Sequence, residues 1–121
     1  MQNELSADYP SLNIDILAIN QLGAESGIAS ISSAHHLPIV NDESSIGIWS
    51  NWGGVWRDVF ILNQQNEIHT IYNLTQHNLA PGYGTCSNGT STNETDCQSA
   101  GGSWTENYDQ LKQLFIDAAT Q

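Results

Sequence analysis

Arg57 is the only arginine in this 121-residue sequence and Lys112 the only lysine, against thirteen carboxylates. Arg57 stands in "GGVWRDVFILNQQNEIHTIYNLT" at the start of the apolar run Val59-Phe60-Ile61-Leu62. A guanidinium keeps its charge at any working pH and presents rigid donors, so at the mouth of a strand it can serve a reacting site. The plainer role is structural, pairing with Asp58, Asp42 or Glu43 at a strand edge. Trp49, Trp52 and Trp56 crowd the approach to it in sequence. They serve either as core and lid residues or, in the case of Trp52 and Trp56, as an apolar wall around a site.

Cys86 and Cys97 are the only cysteines, and "SNGTSTNETD" between them is wholly polar. The spacing suits neither a zinc site nor a C-x-x-C dithiol. It favours a structural disulfide closing a small loop, which implies an oxidising, extracytoplasmic compartment. The same spacer lacks the glycine position and regular acidic spacing of a Ca²⁺ loop. His35 and His36 are adjacent and diverge in any regular element, while His69 and His77 with an aspartate offer only a weak metal constellation. No cofactor or metal is expected. Three Asn-x-Ser/Thr sequons, at Asn73, Asn88 and Asn93, are explained by chance in an Asn- and Thr-rich chain unless the host is eukaryotic.

The net charge of −11 leaves nothing to neutralise phosphates, which argues against nucleic acid and anionic membrane surfaces. No run approaches the ~20 apolar residues of a membrane span, and "MQNELSADYP" does not open like a secretory signal.

The elements that must position these residues follow from periodicity. Met1, Leu5 and Tyr9, spaced four apart before Pro10, predict the tail of a helix over 1–8, and so a segment preceding it. "NIDILAIN" (13–20) predicts a strand covered on both faces, and 23–34 a weak helix. "LPIVND" is a connection. Residues 43–54 predict a short helix capped by Asp42 and ended by Gly53-Gly54. Asp58 to Leu62 and Ile68 to Leu74 predict an antiparallel hairpin. Residues 80–105 predict a structureless loop insertion clipped by its own disulfide, and 107–119 an amphipathic helix with Leu111, Leu114, Phe115 and Ala118 on one stripe. The first strand is expected to join the hairpin in parallel fashion. The expected class is therefore α/β: a single domain over 1–121 with a mixed three-stranded sheet and flanking helices.

This order resembles the second half of a thioredoxin-like fold. "INQLGAESG", "LPIVND", "WSNWGGVWRDVFILNQQNEIHTIYNLTQHNLA" and "NYDQLKQLFIDAA" are similar to bacterial redoxin and peroxiredoxin-like proteins, over nearly the whole chain apart from the cysteine loop. In that family a first strand and the start of an active-site helix carry the nucleophilic Cys, or in some relatives selenocysteine. Nothing in this sequence corresponds to them. The resemblance therefore implies a truncated fold, the C-terminal part of a thiol or selenol redox protein and inactive alone. A selenocysteine codon read as a stop is one origin of such a chain. Thioredoxins carry a cis-proline before the facing strand, which is absent here, whereas "W-R-D-V-F-I-L" is similar to the arginine pattern of peroxiredoxins. By that likeness Arg57 is the polarising residue, lowering a thiol or selenol pKa and holding a peroxide oxygen. The resemblance also implies a redox partner protein, or a homodimer covering an exposed sheet face. The alternative is a non-catalytic thioredoxin-like module for binding or structure.

Overall fold

A computed structural model describes residues 1–29, 33 and 37–121. The chain divides into two compact units, Met1–Val55 and Trp56–Gln121.

The first unit opens with α1 (Gln2–Asp8), which buries Leu5 and stops at Tyr9, ahead of Pro10. Of the strand expected over 13–20, only β1 (Ala18–Asn20) forms a ladder. Its neighbour is β2 (Ile39–Asn41), in parallel register with Ala18 opposite Ile39. The segment before β1 has a different partner. Gln2 Nε2 donates to the Ile14 carbonyl at 2.8 Å, and its Oε1 accepts the Ile16 N–H at 2.7 Å. A side-chain amide offers the same donor and acceptor as a peptide group, so one glutamine replaces a strand neighbour there. The helix expected over 23–34 opens as a 3-10 turn at Glu25–Gly27; residues 28, 29 and 33 are helical, and the rest of its later part lies outside the described residues.

The next helix, α2 (Ile48–Trp52), is shorter than the 43–54 expected and has Gly47 at its N-cap; Asp42 reaches its first N–H groups from six positions upstream. One carboxylate oxygen accepts the Glu43 and Ile48 N–H groups, both at 2.9 Å, and the other accepts that of Trp49 at 3.0 Å. Gly53 ends α2 in the left-handed region at φ 63°, a conformation only glycine adopts without cost. The Trp49 indole N–H reaches the Ile19 carbonyl (3.3 Å), so Asp42 and Trp49 together fix α2 against the parallel pair.

Asp42 is buried, and the N–H groups of Ile48 and Trp49 hold its carboxyl below the ordinary aspartate value of 3.8. A group whose folded pKa is depressed stabilises above its unfolded pKa and loses that contribution as pH falls through the folded one. Acid titration below about pH 4 is thus expected to loosen α2, read by Trp49 fluorescence. Asp42→Asn should weaken the unit at neutral pH and remove this acid step; an unchanged acid transition in the variant would place its origin elsewhere.

The second unit starts with the expected hairpin, β3 (Asp58–Leu62) and β4 (Ile68–Asn73), antiparallel with a register shift between Ile61 and Leu62. Asn63 builds its turn: Oδ1 accepts the Gln65 and Glu67 N–H groups, each at 3.0 Å, and Asn66 takes φ 61°. Residues 80–105 are not structureless. They contain β5 (Gly84–Cys86), α3 (Glu94–Ser99) and β6 (Trp104–Glu106), with β5 and β6 antiparallel. Three-residue strands and a six-residue helix carry too little periodicity to be seen in sequence; the disulfide and cross-strand pairing hold them. β6 passes directly into α4 (Asn107–Ala119), whose Leu111 and Ala118 are buried while Leu114 and Phe115 are half-buried. α4 packs on β3, with Ile61 and Tyr72 buried on that face of the hairpin.

The architecture is mixed α/β with small sheets: one parallel pair, two antiparallel pairs and a disulfide. The expected mixed sheet of three strands is corrected. β1 pairs with β2, in the segment expected to be a connection, and each of the three sheets has two strands among the described residues.

Candidate functional site

Arg57 lies in the turn that feeds β3, is exposed, and holds its backbone at φ 68°. A left-handed conformation costs a non-glycine residue roughly 1–2 kcal/mol and persists where neighbours over-determine it. The end of β4 supplies the neighbours. The Leu74 N–H donates to the Arg57 carbonyl at 2.9 Å, and Asn73 Nδ2 donates to the Trp56 carbonyl (3.1 Å) and to Asp58 Oδ1 (2.8 Å). Asn73 Oδ1 accepts the N–H groups of Thr75 (2.9 Å) and Gln76 (3.2 Å), which locks that amide in one orientation. Asn73 is therefore the residue that shapes the Arg57 turn. The sequence shows it only as a sequon asparagine, because its partners lie fifteen to seventeen positions upstream.

Glycine adopts φ 68° freely but has more chain entropy to lose, an offset of roughly 0.4–1 kcal/mol. Arg57→Gly is expected to raise stability by up to about 1 kcal/mol in a urea melt. A loss instead would mean that the guanidinium makes a contact worth more than the relieved backbone.

Trp56 is 72% exposed beside Arg57 in the second unit, whereas Trp52 belongs to the first unit, at the end of α2, and is 42% exposed. Trp49 is occupied by its bond to the Ile19 carbonyl.

Both cysteines are consumed. Cys86 and Cys97 form a disulfide with Cα atoms 5.6 Å apart, Cys97 has no exposed surface, and no free cysteine remains. No thiol is free in this structure. Gly102 lies against the bridge: a Cβ there would stand 2.6 Å from Cys86 Sγ and 3.0 Å from Cys97 Sγ. The glycine is needed for close approach.

His69 and His77 serve local structure. His77 Nδ1 faces the Asn73 carbonyl at 3.1 Å, so it carries the proton, and the ring stacks on Tyr72 with centroids 4.3 Å apart. The Tyr72 hydroxyl donates to the Asn107 carbonyl (3.2 Å), and burial pushes its pKa up. His69 Nδ1 faces Gln121 Oε1 at 3.1 Å. His35 and His36 lie outside the described residues. Among the described residues, no group of three or more His, Cys, Asp or Glu side chains is placed to hold a metal ion, and no helix is long and apolar enough to cross a membrane.

The geometry thus offers one cation on a strained, clamped turn and one buried disulfide, with no catalytic constellation gathered around either among the described residues. No protein-family model, curated protein or solved structure matches the chain.

Proposed function

We propose that this chain is the C-terminal part of a thioredoxin-like, redoxin- or peroxiredoxin-like protein whose thiol or selenol nucleophile is supplied by a further segment. Arg57 is its polarising residue. The supporting observation is the Arg57 turn: a lone cation is held at positive φ directly before an apolar strand by Asn73 and Leu74. Strain at a site that its surroundings over-determine is where function concentrates. The apolar surface agrees. In the first unit Leu17, Leu22, Val40, Ile46, Trp52 and Val55 are exposed, and Leu5 is its one buried apolar side chain among the described residues. Such a surface invites a covering segment, a second copy or a redox partner protein. The disulfide fits an oxidising, extracytoplasmic compartment.

On this reading the chain alone turns over neither peroxide nor a disulfide substrate. The coding DNA ahead of Met1 tests it. The expected result is an in-frame cysteine or selenocysteine codon one active-site helix upstream. In-frame coding with neither, or a stop that is not read as selenocysteine, rejects it.

The second reading, a non-catalytic module for binding or structure, is favoured by the closed second unit, whose cysteines are buried and bonded to each other. Sedimentation and chemical denaturation of the purified chain separate the two. A folded monomer with a cooperative transition in both units supports the module; a first unit that orders only with added upstream sequence supports the redoxin part.

A further inference from the structure

Asn88-Gly89 is the only Asn-Gly step in the sequence. It sits at the exposed tip of the turn that follows β5, inside the disulfide loop. Glycine after asparagine leaves the next backbone nitrogen sterically open to the asparagine side-chain carbon. The side-chain oxygen is already surrounded by donors. Asn88 Oδ1 accepts the Thr90 N–H (2.9 Å), the Ser91 N–H (3.0 Å) and the Thr90 hydroxyl (3.2 Å). Asn88 Nδ2 donates to Ser91 Oγ at 2.8 Å, which places a hydroxyl beside the nitrogen that would leave.

We propose that Asn88-Gly89 is a self-modification site, at which the folded chain converts Asn88 to an acid through a cyclic imide. The Gly89 nitrogen forms a bond to Asn88 Cγ and gives its proton to water. Charge develops on Oδ1, where the three donors already point, in the manner of an oxyanion hole. The Cγ–Nδ2 bond then breaks, and the nitrogen leaves as ammonia after taking a proton from Ser91 Oγ, which water replenishes. Water opens the imide at either carbonyl, giving aspartate or its isomer linked through the side chain. No electrons change hands. The product carboxylate keeps the same donors, now in charge-assisted bonds.

One contact opposes the reaction: the Gly89 N–H donates to the Cys86 carbonyl at 2.9 Å. This is a single turn bond on exposed backbone, worth a net ~1 kcal/mol. A donor to a developing oxyanion changes rates by about 10²–10³ in a water-excluded site. The three donors already bond Oδ1 in the ground state, so what opposes that turn bond is their strengthening as charge develops.

The test follows Asn88 by peptide mapping and mass spectrometry in the oxidised full chain, in mildly alkaline buffer, with and without guanidinium chloride. Folded chain is expected to convert about tenfold faster than unfolded chain, well under the enzymatic figure because the site is wet. Ser91→Ala and Thr90→Val should each bring the two rates closer. Asn73 and Asn93, followed by Leu74 and Glu94, serve as internal references and should stay intact. Equal rates, or slower conversion in the folded chain, overturn the proposal and identify the Gly89–Cys86 bond as protective. Unchanged rates in both variants would overturn the roles given to the Thr90 and Ser91 hydroxyls.

Discussion

Replacing Cys86 and Cys97 together by alanine is expected to lower the stability of the second unit by about 3 kcal/mol or more. A cross-link spanning 11 positions removes about 3 kcal/mol of denatured-chain entropy in the loop-closure account. The native side adds to this, since Cys97 has no exposed surface and sits beneath Gly102. The loss should appear in guanidinium denaturation of the full chain as a lower midpoint, with β5, α3 and β6 the first elements to lose protection in hydrogen exchange. Gly102→Ala supplies a sharper check. With the bridge present, its Cβ is driven against two sulfurs, and overpacking of this kind costs roughly 1–3 kcal/mol. Without the sulfurs the two tightest contacts are gone and the Cys97 carbonyl, 3.2 Å from that Cβ, remains, so the two changes should be non-additive. Additive losses would show that the bridge and the glycine do not act as one packed unit.

Ile61→Ala is the other large effect expected. Ile61 is 1% exposed on β3, where α4 packs. Deleting its side chain should cost about 2–5 kcal/mol, and Ile61→Val about 0.5–1.5 kcal/mol. Ile68, on the partner strand and 53% exposed, is the control. Its alanine variant should stay within roughly 0.5 kcal/mol of the parent. Similar losses at both positions would mean that the hairpin face carrying Ile61 is not the one that α4 covers.

What was legible in the sequence follows the length of each pattern. Thirteen residues of helical period place α4 where the structure has it, and the alternating hairpin is found almost to the residue. Asp42 is legible as a residue type that holds helix N–H groups, but not that its helix begins only at Ile48 with Gly47 at the N-cap. The three-stranded sheet could not be judged the same way. β1 and β2 have three residues each, too few to separate a strand from a connection. The segment before β1, apolar on both faces, looked like a strand, but its backbone groups at Ile14 and Ile16 are taken by a glutamine side chain. Residues 80–105 have the composition of a loop; the pairing of β5 with β6 and the disulfide to α3 give them order. For the candidate site, Arg57 stood out by being alone, whereas Asn73, which shapes its turn, acts from the far strand and has no local signature.

The absence of any linking residue between β6 and α4 has a mechanical consequence. The distal end of α4 is tied to the hairpin turn, where Gln64 donates to the Ala119 carbonyl. A helix fastened at both ends acts as a lever arm between the stapled clip and the hairpin. Opening the clip should therefore be felt some thirteen residues away, at the last turn of the chain. A reporter dye attached at Gln121 would sense the oxidation state of two sulfurs that it never touches.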